Sequence, residues 1–262
     1  MRVGAFALAL VLALPSAKHL RAEPVPSVEL EYHVYLGGLH ALSLTTRLVR
    51  DDSNGYRMAI DAVTAGLIDK FVHATYRAES VGVTKDGSAF PTRFRSISGE
   101  DDEDGKTVTV DYGDDGAPGV TFVPEHEAPD EPLPSKMTAG TIDPASAMLT
   151  LMETLGKTGR CDATVKVFDG KRRYDLVSRH TVEVELSATK YAPYAGPATE
   201  CRIGFERLAG FREGRLAQRY PDEIVLYLAP LFDDAPPMPV RMHGSNLFGA
   251  LRLHLVAWRG LD

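Results

Sequence analysis

The amino-acid sequence predicts a mainly β protein in which one antiparallel sheet packs against a single helix. Short segments of alternating apolar and polar residues recur along the chain, and turns containing glycine, aspartate or asparagine separate them. One segment alone combines the apolar spacing of an amphipathic helix with a start and a stop signal. The length of 262 residues allows one sizeable core, and all-β domains of this size are often undivided.

The N-terminal segment has the pattern of a secretory signal peptide. Arg2 supplies a positive charge, Val3–Leu14 is an apolar run, and Ala22 is a small residue before a cleavage point at Glu23, with Ala17 as the other candidate. The run is too short to span the ~30 Å hydrocarbon core of a bilayer as a helix. We therefore expect a signal peptide over residues 1–22 and a single domain over residues 23–262.

The charge balance argues against nucleic acid as a partner. The chain contains 29 Lys and Arg against 36 Asp and Glu, a net charge of −7. Removal of residues 1–22 takes away three basic and no acidic side chains, so the expected mature chain has a net charge of −10. Such a surface repels phosphate backbones. No other stretch approaches 18 apolar residues, so we expect no transmembrane segment in the mature chain.

Seven strands are predicted before the helix. Apolar residues alternate with polar ones in them, and Asn54-Gly55 is suited to a tight hairpin turn between two of them. Residues 124–140, rich in proline and acidic side chains, are predicted to cross the surface. The seven predicted strands are residues 29–34, 41–49, 56–63, 75–83, 92–98, 107–112 and 120–124.

The helix is predicted over residues 143–156. Asp143 can cap the free backbone donors, and Pro144 occupies the first helical position, where its missing N–H costs nothing. Gly156 is the predicted end. The apolar face consists of Met148, Leu151, Met152 and Leu155, which recur at helical spacing. With only one helix, the partner of this face must be a sheet.

Strand signals resume after the helix, and Asp169-Gly170 is a favoured hairpin turn. Gly244-Ser245-Asn246 is predicted to be the turn between the last two strands. The predicted strands are residues 164–168, 173–178, 181–186, 201–208, 223–229, 240–243 and 247–258.

Cys161 and Cys201 are the two cysteines of the chain. In an exported protein two cysteines most often pair, so we predict a disulfide. The closed loop of about 40 residues would stabilise the fold by about 4 kcal/mol in the chain-entropy model.

Several segments resemble one known family. The stretches are Asp143-Pro144-Ala145-Ser146, Cys161, residues 167–176, Gly196-Pro197-Ala198 before Cys201, Leu228-Ala229-Pro230 and Pro239-Val240-Arg241. Together they resemble the domain of unknown function family 3108, secreted proteins of Gram-negative bacteria. The resemblance implies a periplasmic location and a strongly curved antiparallel sheet, an open or half barrel, with the helix on its concave face. That architecture is similar to periplasmic lipoprotein carriers of the outer-membrane localisation pathway. The family has no agreed activity, so it implies no functional residues.

Metal and catalytic motifs are weak. Glu100, Asp102, Asp104, Gly105 and Asp111 have the spacing of a calcium loop, but strands rather than helices flank them, so a solvated acidic turn is the better interpretation. Glu125-His126-Glu127 lies in the proline-rich crossing with no helix to make its side chains converge. No nucleophile motif or phosphate-binding glycine loop is present. We therefore predict no enzyme activity, no cofactor and no metal site.

The leading hypothesis is a non-enzymatic envelope protein that binds a lipid or another apolar ligand inside the curved sheet. Met148, Leu151, Met152 and Leu155 are the predicted lining, because methionine repacks readily around a guest. The alternative is an envelope-integrity factor that acts through protein contacts. Lys171, Arg172 and Arg173, just after a hairpin tip, are its predicted contact residues, with protection of a strand edge as the simpler interpretation.

Overall fold

The computed structural model describes residues 27–100, 105–113, 117–129, 131–212, 214–233 and 235–261. The described residues form thirteen strands and two α-helices. The strands are β1 (Ser27–Leu36), β2 (Leu39–Arg50), β3 (Gly55–Thr64), β4 (Thr75–Lys85), β5 (Ser88–Gly99), β6 (Lys106–Asp111), β7 (Gly119–Val123), β8 (Ala163–Phe168), β9 (Arg173–Leu186), β10 (Gly196–Ala209), β11 (Glu223–Ala229), β12 (Met238–Asn246) and β13 (Gly249–Leu261). The helices are α1 (Ser135–Thr138) and α2 (Pro144–Thr158).

All thirteen strands belong to one antiparallel sheet, as predicted. Its strand order is β7-β6-β5-β4-β3-β2-β1-β13-β12-β11-β10-β9-β8. Each half of the chain therefore forms a meander of neighbouring strands, and the pairing of β1 with β13 joins the two halves. The first and last strands of the sheet, β7 and β8, are not paired with each other in the described part of the chain, so the sheet is not closed into a barrel.

Two predicted breaks between strands in the C-terminal half are wrong. The two strands predicted over 173–178 and 181–186 are one strand, β9, because Arg179 and His180 pair with Arg202 and Cys201 of β10 and the chain passes this point with a register shift instead of a turn. Strand β12 continues to Asn246, so the last hairpin turn lies at residues 247–248 rather than at the predicted Gly244-Ser245-Asn246.

The helix prediction was right in its start and wrong in its end. Asp143 caps α2 and Pro144 is its first residue, as predicted, but the helix continues past Gly156 to Thr158. Gly159 ends it in the left-handed conformation, with φ of 70°. A second helix, the single turn α1, was not predicted and lies within the proline-rich crossing.

The predicted disulfide is present. Cys161, just before β8, is bonded to Cys201 in β10, and both residues are fully buried. Because β9 lies between β8 and β10, the bond spans an intervening strand. It ties the chain that leaves α2 to the middle of the C-terminal half of the sheet.

Side chains rather than backbone hydrogen bonds fill the seam between the two ends of the sheet. Phe168 at the end of β8 packs against Phe94 of β5 and Val110 of β6, and all three are buried. Gly170, in the turn after β8, lies so close to β6 that an added Cβ would come within 2.4 Å of a methyl carbon of Val108. The turn after β8 therefore presses against the opposite edge of the sheet.

Gly170 should tolerate alanine poorly for two separate reasons. Its φ of 94° disfavours any side chain, and the Cβ would collide with Val108. Gly140 also has positive φ, at 67°, but an added Cβ there meets nothing within 4 Å. We expect Gly140→Ala to reduce the free energy of unfolding by about 1 kcal/mol and Gly170→Ala by about 2–4 kcal/mol. Urea denaturation measures both, and equal losses would contradict the close approach across the seam.

Candidate ligand-binding cavity

The start of α2 is fixed by a buried carboxylate. One oxygen of Asp143 accepts the backbone N–H groups of Ala145 and Ser146, both at 2.9 Å. The other accepts the hydroxyls of Ser80 in β4, at 2.8 Å, and of Ser146, at 2.5 Å. Tyr56 of β3 lies 2.7 Å from the Ser146 hydroxyl, and burial raises the pKa of its phenol to about 12. Asp143 therefore attaches the first turn of the helix to the middle of the sheet.

From this point α2 runs toward one end of the sheet, here called the helix end and marked by the turns at residues 51–54 and 86–87. Glu153 of the helix forms an ion pair with Arg50, and Thr154 donates a hydrogen bond to the Gly87 carbonyl. Gly156 packs against Pro236 and Pro237. The helix thus fills the interior from the middle of the strands to this end.

At the opposite end, here called the cavity end, the sheet encloses a cavity of about 430 Å³. This volume is within the range of small-molecule sites, roughly 300–1,000 Å³. Pro144, the first residue of α2, lies among the lining residues, so the beginning of the helix forms the floor. The other lining residues are Tyr76, Phe94, Ser96, Ser98, Lys106, Thr107, Val108, Glu127, Asp169, Lys171, Arg172, Tyr174, Phe205, Arg207, Phe211, Tyr220 and Pro221.

The wall of the cavity formed by β5, in the N-terminal half of the chain, carries small side chains and so leaves the cavity open. Phe94, Ser96 and Ser98 alternate along β5 and so face the same side of the sheet. Phe94 is buried level with Ser80 in the neighbouring strand, which is the level of the Asp143 carboxylate. Beyond Phe94, toward the cavity end, Ser96 and Ser98 are the side chains of β5 on this face. They cover about 14 Å of strand, at ~3.4 Å per residue. The cavity begins where these side chains become small.

The C-terminal wall is aromatic. Tyr174 of β9 contacts Phe205 of β10 and Phe211, with ring centroids 6.1 Å apart in each pair. Phe211 in turn meets Tyr220 edge to face, at 5.5 Å. Aromatic pairs in such geometries contribute stability in addition to that from the apolar area they bury. The wall is therefore a preformed apolar surface.

The rim carries four basic and two acidic lining side chains. Arg172 donates to Asp169 at 2.7 Å and lies over the Tyr220 ring. Burial opposes the charge of Arg172, but Asp169, Tyr220 and Tyr174 together outweigh it, so the pKa of the guanidinium is raised. Glu127 accepts from Lys106, which holds the pKa of the Glu127 carboxyl below its ordinary value.

The three predicted contact cations are divided by the structure. Lys171 and Arg172 are half-buried on the cavity rim. Arg173 is buried, and its guanidinium donates to the carbonyls of Met137 and Tyr174 and to Asp175. Since Tyr174 lines the cavity, alternation along β9 places Arg173 on the other face of the sheet, where the chain around Met137 covers it. Arg173 is therefore not exposed, and a contact role for the three cations stays a prediction.

The four predicted lining residues belong to α2 and pack in the core rather than around the cavity. Leu151, Met152 and Leu155 are buried, and Met148 is half-buried against the same cluster. Leu155 also borders a shallow depression at the helix end. Their role as ligand-lining residues stays a prediction. The cavity residues come from five strands, three connecting segments and the first residue of α2, and no local pattern in the sequence connects them.

Histidines that look scattered in the sequence meet on the sheet. The rings of His33 and His40 lie 4.2 Å apart, and His254 lies 5.5 Å from Tyr35 and 6.5 Å from His243. Within the described ranges, no group of three or more His, Cys, Asp or Glu could hold a metal ion.

The acidic run that resembles a calcium loop lies partly outside the described residues. Asp102 and Asp104 are not described, whereas Asp111 is paired with Arg93 at 2.6 Å. As for membranes, no helix among the described residues is both long and apolar enough to cross one.

Large apolar side chains are exposed at the cavity end. The loop between β3 and β4 exposes Leu67, Phe71 and Val72, and Phe71 is 85% exposed. This loop directly precedes Tyr76, a cavity-lining residue. Exposed apolar patches on soluble proteins commonly mark contact sites.

A single curved antiparallel sheet, left open at one seam and plugged by a helix, defines the class of incompletely closed barrel-like proteins. The chain belongs to the family described as "Protein of unknown function (DUF3108)", whose sequence profile matches residues 31–256. This membership confirms the resemblance seen in the sequence.

A solved structure from another family has the same fold. It is the crystal structure of a β-barrel-like protein of domain of unknown function DUF1849 from Brucella abortus, with 14% identity and a TM-score of 0.56. The match covers 91% of this chain and 99% of that one. No curated protein matches the chain.

Removal of the Asp143 carboxylate should loosen the floor of the cavity. Asp143→Ala loses the helix cap and the carboxylate that accepts from two buried serine hydroxyls, so we expect the free energy of unfolding to fall by about 2–4 kcal/mol. Asp143→Asn is the matched control, because asparagine is an equally good cap, and it should lose less. Urea denaturation measures both, and an Asp143→Ala variant as stable as the unchanged chain would contradict this anchor.

The pH dependence of stability gives a second test of Asp143. Burial raises the pKa of Asp143 above its ordinary value of 3.8, so the folded chain holds this proton more tightly than the unfolded chain. Asp143 therefore favours folding increasingly as the pH falls through its folded pKa toward 3.8. Asp143→Asn should remove this contribution. The measurement is the unfolding free energy of the unchanged chain minus that of Asp143→Asn, which should increase as the pH is lowered toward 3.8.

Proposed function

We propose that this protein binds an apolar or amphiphilic molecule, such as a lipid or an acyl chain, in the cavity at the cavity end. The observation that carries the proposal is the position of α2. Because Asp143 holds the start of the helix at the middle of the strands, the helix fills only one part of the interior. The aromatic wall and the small residues of β5 leave the remaining part open.

The character of the wall supports an apolar guest. Phe94, Tyr174, Phe205 and Phe211 supply apolar surface, whereas the charged groups lie toward the rim. Ligand sites typically combine a mainly apolar lining with a few polar groups that fix orientation. The exposed apolar loop at the same end, around Phe71, gives an acyl chain apolar surface beside the cavity.

The proposal includes a location outside the cytoplasm and no enzyme activity. The predicted signal peptide over residues 1–22 and the disulfide are the features that support export to the periplasm. An envelope factor acting through protein contacts stays the alternative prediction.

Native mass spectrometry of the mature protein, purified gently from the periplasm, tests the proposal directly. We expect a lipid-sized mass to remain bound and to be released by organic extraction. Protein that carries no ligand, and that also fails to take up the neutral apolar probe N-phenyl-1-naphthylamine, would contradict the proposal.

A substitution that fills the cavity should block binding without disturbing the fold. Ser96→Phe places a ring in the open part of the cavity, and we expect the affinity for N-phenyl-1-naphthylamine to fall at least about tenfold, equivalent to ~1.4 kcal/mol. Arg95→Phe is the matched control, because Arg95 is the adjacent, exposed residue on the same strand. Fluorescence titration measures both affinities, and equal effects of the two variants would show that the probe binds elsewhere.

A further inference from the structure

The cavity rim has more positive than negative charge although the protein as a whole is acidic. Among the lining residues, Lys106, Lys171, Arg172 and Arg207 face two carboxylates, those of Glu127 and Asp169, whereas the full chain has a net charge of −7. A cleft lined by one sign of charge attracts ligands of the opposite sign.

The two arginines have carboxylates of their own. Asp169 accepts from the Arg172 guanidinium at 2.7 Å and from the Arg172 backbone N–H, also at 2.7 Å. Arg207 donates to Asp222 and to the carbonyl of Tyr220, both at 2.8 Å. These arginines are therefore held in place and compensated.

The two lysines share one carboxylate. Glu127 accepts from Lys106 at 2.8 Å with one oxygen and lies 3.6 Å from the Lys171 ammonium with the other. Lys171 is held further by the Phe122 ring, 5.3 Å from its nitrogen. Lys106 begins β6 and Lys171 lies in the turn after β8, so the pair spans the open seam of the sheet. The uncompensated positive charge of the rim is at this pair.

We propose that the ligand is an anionic amphiphile whose acidic head group binds between Lys106 and Lys171, where the Glu127 carboxylate now lies. This inference rests on the proposed function, because it assigns the head group of the same ligand. The apolar tail then extends past Ser98 and Ser96 toward Phe94 and the floor at Pro144. Glu127 acts as an internal competitor that occupies the anion position when no ligand is bound.

The test compares an acid with the alcohol of the same chain length. Dodecanoic acid and 1-dodecanol are titrated against the protein with bound N-phenyl-1-naphthylamine, and displacement of the probe gives both affinities. We expect the acid to bind about tenfold more tightly, as for one additional charge-assisted hydrogen bond.

Three variants locate the head group. Lys106→Gln/Lys171→Gln should bring the ratio of acid to alcohol affinity close to one, because the acid loses the two cations that bind its head group. Glu127→Gln should increase the acid affinity several-fold, because the competing carboxylate is gone. Glu125→Gln is the matched control: Glu125 belongs to the same helical turn but does not line the cavity, and its removal should change neither affinity.

The outcomes separate the two proposals. Equal binding of acid and alcohol by the unchanged chain would overturn the head-group assignment and leave the apolar cavity standing. A preference for the acid that survives the double lysine substitution would also overturn it. Failure of both compounds to displace the probe, or of the probe to bind, would overturn the proposed function itself. Urea denaturation of each variant establishes that the fold is retained.

Discussion

The interior of this protein is organised by the buried carboxylate of Asp143. A carboxylate without partners would be costly to bury, and here four donors from the helix backbone and from two serines satisfy it. Because one of those serines, Ser80, lies in the middle of β4, the carboxylate sets the height at which the helix begins. The helix can then fill only the part of the interior between that height and the helix end.

The open seam has a related physical consequence. Full closure would pair β7 with β8 and leave every inner position to be filled by side chains. Instead, Phe168 and the turn containing Gly170 fill the part of the gap beside Phe94 and Val108, by contact with β5 and β6. Farther toward the cavity end, charged side chains from both sides of the gap face each other. The change from apolar to charged contacts along the seam coincides with the change from packed core to cavity.

Local signals were sufficient to predict most of the fold from the sequence. Alternation and turn residues gave the strands, and the Asp143-Pro144 pair gave the start of the helix, because these signals act within a few residues. The predictions failed where a longer-range contact decided the outcome. The break expected near His180 is absent because pairing with β10 keeps the strand extended. The helix passes Gly156, which packs closely against Pro236 and Pro237, and ends only before Gly159.

The candidate site was less predictable than the fold. Met148 and its neighbours on the apolar face were reasonable lining residues for a cavity beside the helix, but the cavity lies beyond the helix start, and the sequence does not reveal how far the helix reaches. Lys171 and Arg172 were singled out as cations, whereas their partners Glu127 and Asp169 depend on how the seam closes. The aromatic wall joins Tyr174 to Tyr220, 46 positions apart in the sequence. Such a set becomes visible only when the strands are placed side by side.

The central claim is that the space beyond the helix start is a binding site for an apolar chain. Anomalous diffraction from crystals of the mature protein grown with 12-bromododecanoic acid tests it most directly, because bromine marks the end of the chain. The account predicts one bromine peak inside the sheet, near Phe94 and Pro144, with the carboxylate at the rim. Bromine found only on the outer surface, or an interior filled by side chains from the wall, would contradict it.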